Sequence, residues 1–191
     1  NIIPDLLSVV VANACLIGAH IATQEGLARY MARDGFMRKT CLATFVLTLI
    51  FLSFYTFILP SVALRIMVYS IALCFINAIS IKTVWRKNEP MDSPRFFLVA
   101  GLVIGIVILF FRAVYAVYEG TYPDLMHSGF VQSVGIIGLL LAYVSISISL
   151  FWLLVHRLVL EVQRQAALDF LTNIGNRRAL DELMEKNLPM S

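Results

Sequence analysis

Long apolar runs separated by short polar connections organise this chain. Five stand out: Leu6 to Thr23, Cys41 to Leu59, Val62 to Ile81, Phe96 to Tyr118 and Phe130 to Val155. Each is close to the roughly 20 residues needed to cross a hydrocarbon layer about 30 Å thick. The pattern predicts an all-α polytopic membrane protein with five transmembrane helices. Composition agrees: 60% of the 191 residues are hydrophobic and 14% charged, and the mean hydropathy is +0.84. A soluble domain averages about half apolar and about a quarter charged. Five such runs in a chain this short leave too few polar residues to cover a soluble bundle.

The placement of charge predicts orientation. Arg29, Arg33, Arg38 and Lys39 fall in the first connection, Lys82, Arg86, Lys87 and Arg95 in the third, and Arg157, Arg164, Arg177, Arg178 and Lys186 after the last run. The second connection is a tight turn at Pro60 and Ser61, and the fourth, Glu119 to Gly129, contains no Lys or Arg. Basic and non-basic connections alternate strictly. The expected topology in a bacterial inner membrane therefore has a cytoplasmic C-terminus and an outward-facing start. The chain opens on Asn1 with no basic segment before a cleavage site, so we expect a truncated or processed protein, with an odd number of spans upstream if the full protein starts in the cytoplasm. A net charge of +3 is too small to point to nucleic acid.

Cys15, Cys41 and Cys74 show no metal-ligand spacing and read as reduced packing residues. Small residues four apart, Gly101 with Gly105, Ala14 with Gly18 and Gly138 with Ala142, allow close helix approach, either inside the bundle or at a dimer seam.

After the last span, residues 156–168 mix charge with apolar side chains and contain no Gly or Pro, which predicts that the helix continues as a cytoplasmic stalk. Val155, Val159, Val162 and Ala166 suit a two-stranded coiled coil. A simple amphipathic extension fits the same pattern. The expected organisation is a transmembrane sensor domain over 1–155, a stalk over 156–168 and the start of an output domain over 169–191.

That last segment carries a motif. Asp169, Leu171, Thr172, Asn176, Arg177, Arg178 and Leu180 match a D-x-L-T-x-L-x-N-R-R-x-L pattern, with Ile174 in place of leucine and Asn173 where glycine is common. The stretch resembles the opening of GGDEF domains, the diguanylate cyclase family. Active members join two GTP molecules into cyclic di-GMP with magnesium, and their two domains must face each other, which implies a homodimer. The resemblance further implies that Asp169, Leu171, Thr172, Asn176, Arg177 and Arg178 pass a signal from stalk to enzyme. The family's metal-binding, guanine-binding and signature residues lie further along than Ser191, so no catalytic residue is carried over. GTP and magnesium belong to the downstream domain, and no cofactor is expected in 1–191. Two alternatives stand beside a membrane-bound cyclase: a degenerate GGDEF receptor for cyclic di-GMP, and a transporter subunit.

Ionisable groups inside spans are costly and usually face a cavity or the bundle interior. Arg112 lies in the outer part of the fourth span, with Tyr115 and Glu119 one and two turns further on, and Arg65 lies early in the third. One reading is an outward-facing pocket where Arg112 and Arg65 receive a small anionic molecule or a lipid carboxylate. The other is that Arg112 pairs with Glu119 or snorkels to the interface. On the first span Asn13, His20 and Gln24 share a face at steps of seven and four. They suit hydrogen bonds to neighbouring helices, a polar cavity, or a metal or haem ligand.

Overall fold

A computed structural model describes residues 6–33, 35, 37–85, 91–119 and 130–166; the side chains of 6–8, 119, 130–134 and 166 lie outside the description. The motif residues Asp169, Leu171, Thr172, Asn176, Arg177 and Arg178 lie outside the described residues, as does the side chain of Glu119.

Apart from short connections the described residues are helical, with no strand. The helices are α1 (Ala12–Tyr30, entered from a π-helical run Leu6–Val11), α2 (Arg38–Ser53, leaving through a π-helical run Phe54–Ile58), α3 (Val62–Val84), α4 (Ser93–Glu119) and α5 (Phe130–Ala166). Four stretches are long and apolar enough to cross a bilayer: Arg38–Ile58, Val62–Val84, Ser93–Tyr118 and Gly135–Gln165. The fifth expected span is a helix but does not join these four. That span is the first, Leu6 to Thr23, and the helix α1 that holds it also carries His20, Gln24 and Glu25, which lower its apolar character. The last helix runs unbroken past Val155 to Ala166.

The helix ends follow local chemistry. Pro60 and Ser61 stop one helix and start the next: the Ser61 hydroxyl accepts from the Leu64 amide at 3.3 Å, as an N-cap should. At the start of α4 the Asp92 carboxylate accepts from the Arg95 amide at 3.2 Å. At the end of α1 the Arg33 amide reaches the Ala28 carbonyl at 2.8 Å and the Ala32 amide reaches that of Arg29 at 3.0 Å. This is a Schellman closure, which needs a left-handed residue usually supplied by glycine. Here Ala32 takes it, at φ 54°.

The helix α3 is the hub of the bundle, in contact with α1, α2 and α4, while α5 packs on α4. Half of the apolar window of α3 is buried in the protein, against 22–33% for the other three long apolar stretches. Two apolar layers fill the interior. One joins Ile17, Leu52, Leu73, Ile76, Leu109 and Leu139; the other joins Leu27, Met31, Val84, Leu98, Leu102 and Leu153. Hydroxyls along the helices turn back on their own backbone: Thr48, Thr56, Ser80, Thr83 and Ser149 each donate to the carbonyl four residues earlier. Such bonds satisfy polar groups where no water reaches.

Two of the three small-residue pairs pack inside the bundle. A side chain at Gly101 would meet Ile146 Cγ1 at 3.3 Å, one at Gly105 would meet Asn77 Nδ2 at 3.5 Å, and one at Gly138 would meet Ile108 Cδ1 at 3.2 Å. Gly18 has open space around it.

Candidate functional site: a cavity lined by two arginines

All five helices meet around one cavity of about 350 Å³, at the end of the bundle where α3 and α5 begin and α4 finishes. The first helix supplies Val9, Asn13 and Leu16, and α2 supplies Leu52. From α3 come Val62, Arg65, Ile66 and Tyr69, one turn apart along the helix; α4 gives Arg112; α5 gives Ile136, Leu139, Leu140 and Tyr143. Arg65, Arg112 and Asn13, far apart in sequence, thus line one cavity.

The electrostatics of this cavity are unbalanced. Among the described residues no Asp or Glu lines the cavity, while two guanidinium groups do. The Nε of Arg112 is buried and meets no hydrogen-bond partner. Its electrostatic neighbours are the phenols of Tyr69 and Tyr143. The two hydroxyls lie close to each other, yet Tyr143 Oη does not reach hydrogen-bond geometry with any acceptor. A buried donor left unsatisfied costs about 1–3 kcal/mol, more when it is charged. A second cation, a guanidinium nitrogen without a partner and a pair of adjacent phenols thus line one cavity that can admit an acceptor.

The remaining sequence-predicted residues separate. Asn13 lines the cavity, but its Nδ2 donates to the Val9 carbonyl of its own helix at 2.7 Å. His20 stands behind Tyr143, ring edge to ring face with centroids 5.1 Å apart, and its Nδ1 bonds the Leu16 carbonyl at 2.8 Å. A carbonyl only accepts, so Nδ1 carries the proton there. Gln24 lies further along α1, 1% exposed, between Thr83 Oγ1 at 3.4 Å and Cys41 Sγ at 3.8 Å. Among the described residues no group of three metal-binding side chains occurs. Tyr115 is half-buried and lies off the cavity.

Sequence reasoning missed Tyr69 and Tyr143. A signal was present: Tyr69 follows Arg65 by one turn, and a phenol in mid-span needs a partner for its hydroxyl. It also missed Tyr30, at the opposite end of the bundle. The Tyr30 hydroxyl donates to the Leu153 carbonyl of α5 at 3.0 Å, and the Arg157 guanidinium carbon lies 5.1 Å from the centre of its ring. Burial pushes the Tyr30 phenol above its ordinary value, against the pull of Arg157 and Arg95; it remains a proton donor at neutral pH. Beside it Arg33 Nη1 donates to the Lys82 carbonyl at 2.9 Å, closing the end of α3.

Comparisons with protein-family models, with curated proteins and with solved structures return no match.

Proposed function

We propose that this chain is the membrane sensor of a bacterial diguanylate cyclase, with five spans, a cytoplasmic stalk and an outward-facing cavity that receives an anionic ligand. The observation that supports the sensing half is the cavity itself: Arg65 and Arg112 line it, and among the described residues no carboxylate lines it and Arg112 Nε meets no hydrogen-bond partner. Desolvating a cation costs several kcal/mol unless an anion repays it. The cyclase half rests on the Asp169 to Leu180 resemblance.

The route from cavity to output is α5. Its first turns line the cavity through Ile136, Leu139 and Tyr143, and the same helix continues to Ala166, where the motif follows. The helix α1 reaches α5 at two levels: His20 touches Tyr143 beside the cavity, and Tyr30 bonds Leu153 where the stalk begins. A ligand that moves Tyr143 therefore bears directly on the His20 contact, and on the Leu153 contact only through a shift of α5 as a whole. Leu158, Val159 and Val162 are exposed on the extension, which supports pairing of two stalks in a homodimer. A rigid helix with two registers is a known kind of switch.

The test uses the full-length protein in membranes. Cyclic di-GMP formation from GTP and magnesium should respond to the occupant of the cavity, and the Arg112→Gln variant should lose that response while retaining basal turnover. Absence of cyclic di-GMP formation under all conditions would reject the cyclase half. An unaltered response in both Arg112→Gln and Arg65→Gln would reject the sensing half.

A further inference from the structure

We infer that the cavity is built for a single-chain anionic amphiphile of the fatty-acid class, with the carboxylate held by Arg112, Arg65 and the Tyr143 hydroxyl and the chain lying along α2 and α5. This deepens the proposed sensing role and rests on the anionic-ligand part of that reading.

Three observations point this way. The polar groups of three helices converge on the cavity: Arg65 and Tyr69 lie one turn apart on α3, and Arg112 of α4 and Tyr143 of α5 come close to Tyr69. A carboxylate there would accept from Arg112 Nε, a buried donor with no partner among the described residues, and from Tyr143 Oη, which has the Tyr69 hydroxyl beside it. Charge-assisted bonds of this kind are about twice as strong as neutral ones. The remaining wall is aliphatic, chiefly Leu52, Ile136, Leu139 and Leu140. A small inorganic anion would leave that wall empty, whereas an alkyl chain gains about 0.8 kcal/mol for each methylene it buries. Finally, about 350 Å³ lies at the small end of the roughly 300–1,000 Å³ typical of ligand sites. It suits one chain and a small head, not a two-chain phospholipid.

The experiment measures binding apart from enzymatic output. Full-length protein in nanodiscs of zwitterionic lipid is titrated with radiolabelled decanoate, with decanol, acetate and inorganic phosphate as competitors. Saturable binding of one decanoate per chain is expected, with decanol, acetate and phosphate competing poorly. Arg112→Gln should weaken binding by roughly ten- to a hundredfold, and Tyr143→Phe by a smaller factor with the fold unchanged. The tyrosine variant keeps the test valid if the arginine variant does not fold. Equal competition by phosphate or acetate would make the chain irrelevant, and equal competition by decanol would make the charge irrelevant; either overturns the inference. Displacement of decanoate in discs containing phosphatidylglycerol would assign the cavity to bilayer lipid and also overturn it. Binding of decanoate with no change in cyclic di-GMP output would leave this inference standing and reject the signalling role alone.

Discussion

At the residue scale, single side chains fix how the helices end and meet. Ala32 occupies the left-handed position that closes α1, at φ 54°, where a Cβ is strained by about 1 kcal/mol. An Ala32→Gly substitution should therefore stabilise the protein by about 0.5–1 kcal/mol, read as a higher unfolding midpoint in detergent; a lower midpoint would contradict the Schellman closure. The position was not legible in the sequence because alanine favours helix interiors. Only the backbone bonds of Ala32 and Arg33 reveal the constraint. Arg112 was legible, because a cation inside an apolar run is conspicuous whatever surrounds it. Tyr69 and Tyr143 were not, because phenols are common in membrane helices and their environment depends on which face packs inward.

At the scale of elements, close approach separates functional glycines from incidental ones. Gly101 lies against Ile146 of α5, whose Cγ1 would sit 3.3 Å from an added Cβ, while Gly18 has nothing within 4 Å. Gly101→Val should push α4 and α5 apart and destabilise by about 1–3 kcal/mol. Gly18→Ala should be neutral or stabilise by up to about 1 kcal/mol, since glycine is a poor helix former. Denaturation in mixed detergent micelles compares the two. Equal loss in both variants would mean that α1 presents Gly18 to a partner outside this chain. The two glycines have similar sequence surroundings, and spacing by itself does not distinguish them.

At the scale of the whole molecule, the arrangement is a bundle whose two ends differ. One end holds the arginine-lined cavity. The other holds Arg33 on the end of α3 and Tyr30 against α5. The alternation of basic connections predicts that the Pro60 turn faces outward and that Met91 faces the cytoplasm. With the native cysteines replaced by alanine, Ser61→Cys should react with a membrane-impermeant maleimide in intact cells, and Met91→Cys only after permeabilisation. The reverse pattern would invert the topology and place the cavity on the cytoplasmic side.

Apolar length by itself determined that this chain is a set of long helices suited to a bilayer, because a backbone in hydrocarbon must satisfy its own hydrogen bonds. The starts of α3 and α5 were legible to the residue, at Val62 beside Pro60 and Ser61 and at Phe130 after the polar connection. Tertiary structure decided which face of each helix is buried. In a membrane helix the residues facing lipid are as apolar as those facing neighbours: Ile71 and Phe75 of α3 are exposed while Leu73 and Ile76 beside them are buried. With no polar stripe to mark the outer face, only the packing of α3 against its neighbours brings Arg65, Tyr69, Arg112 and Tyr143 to one cavity.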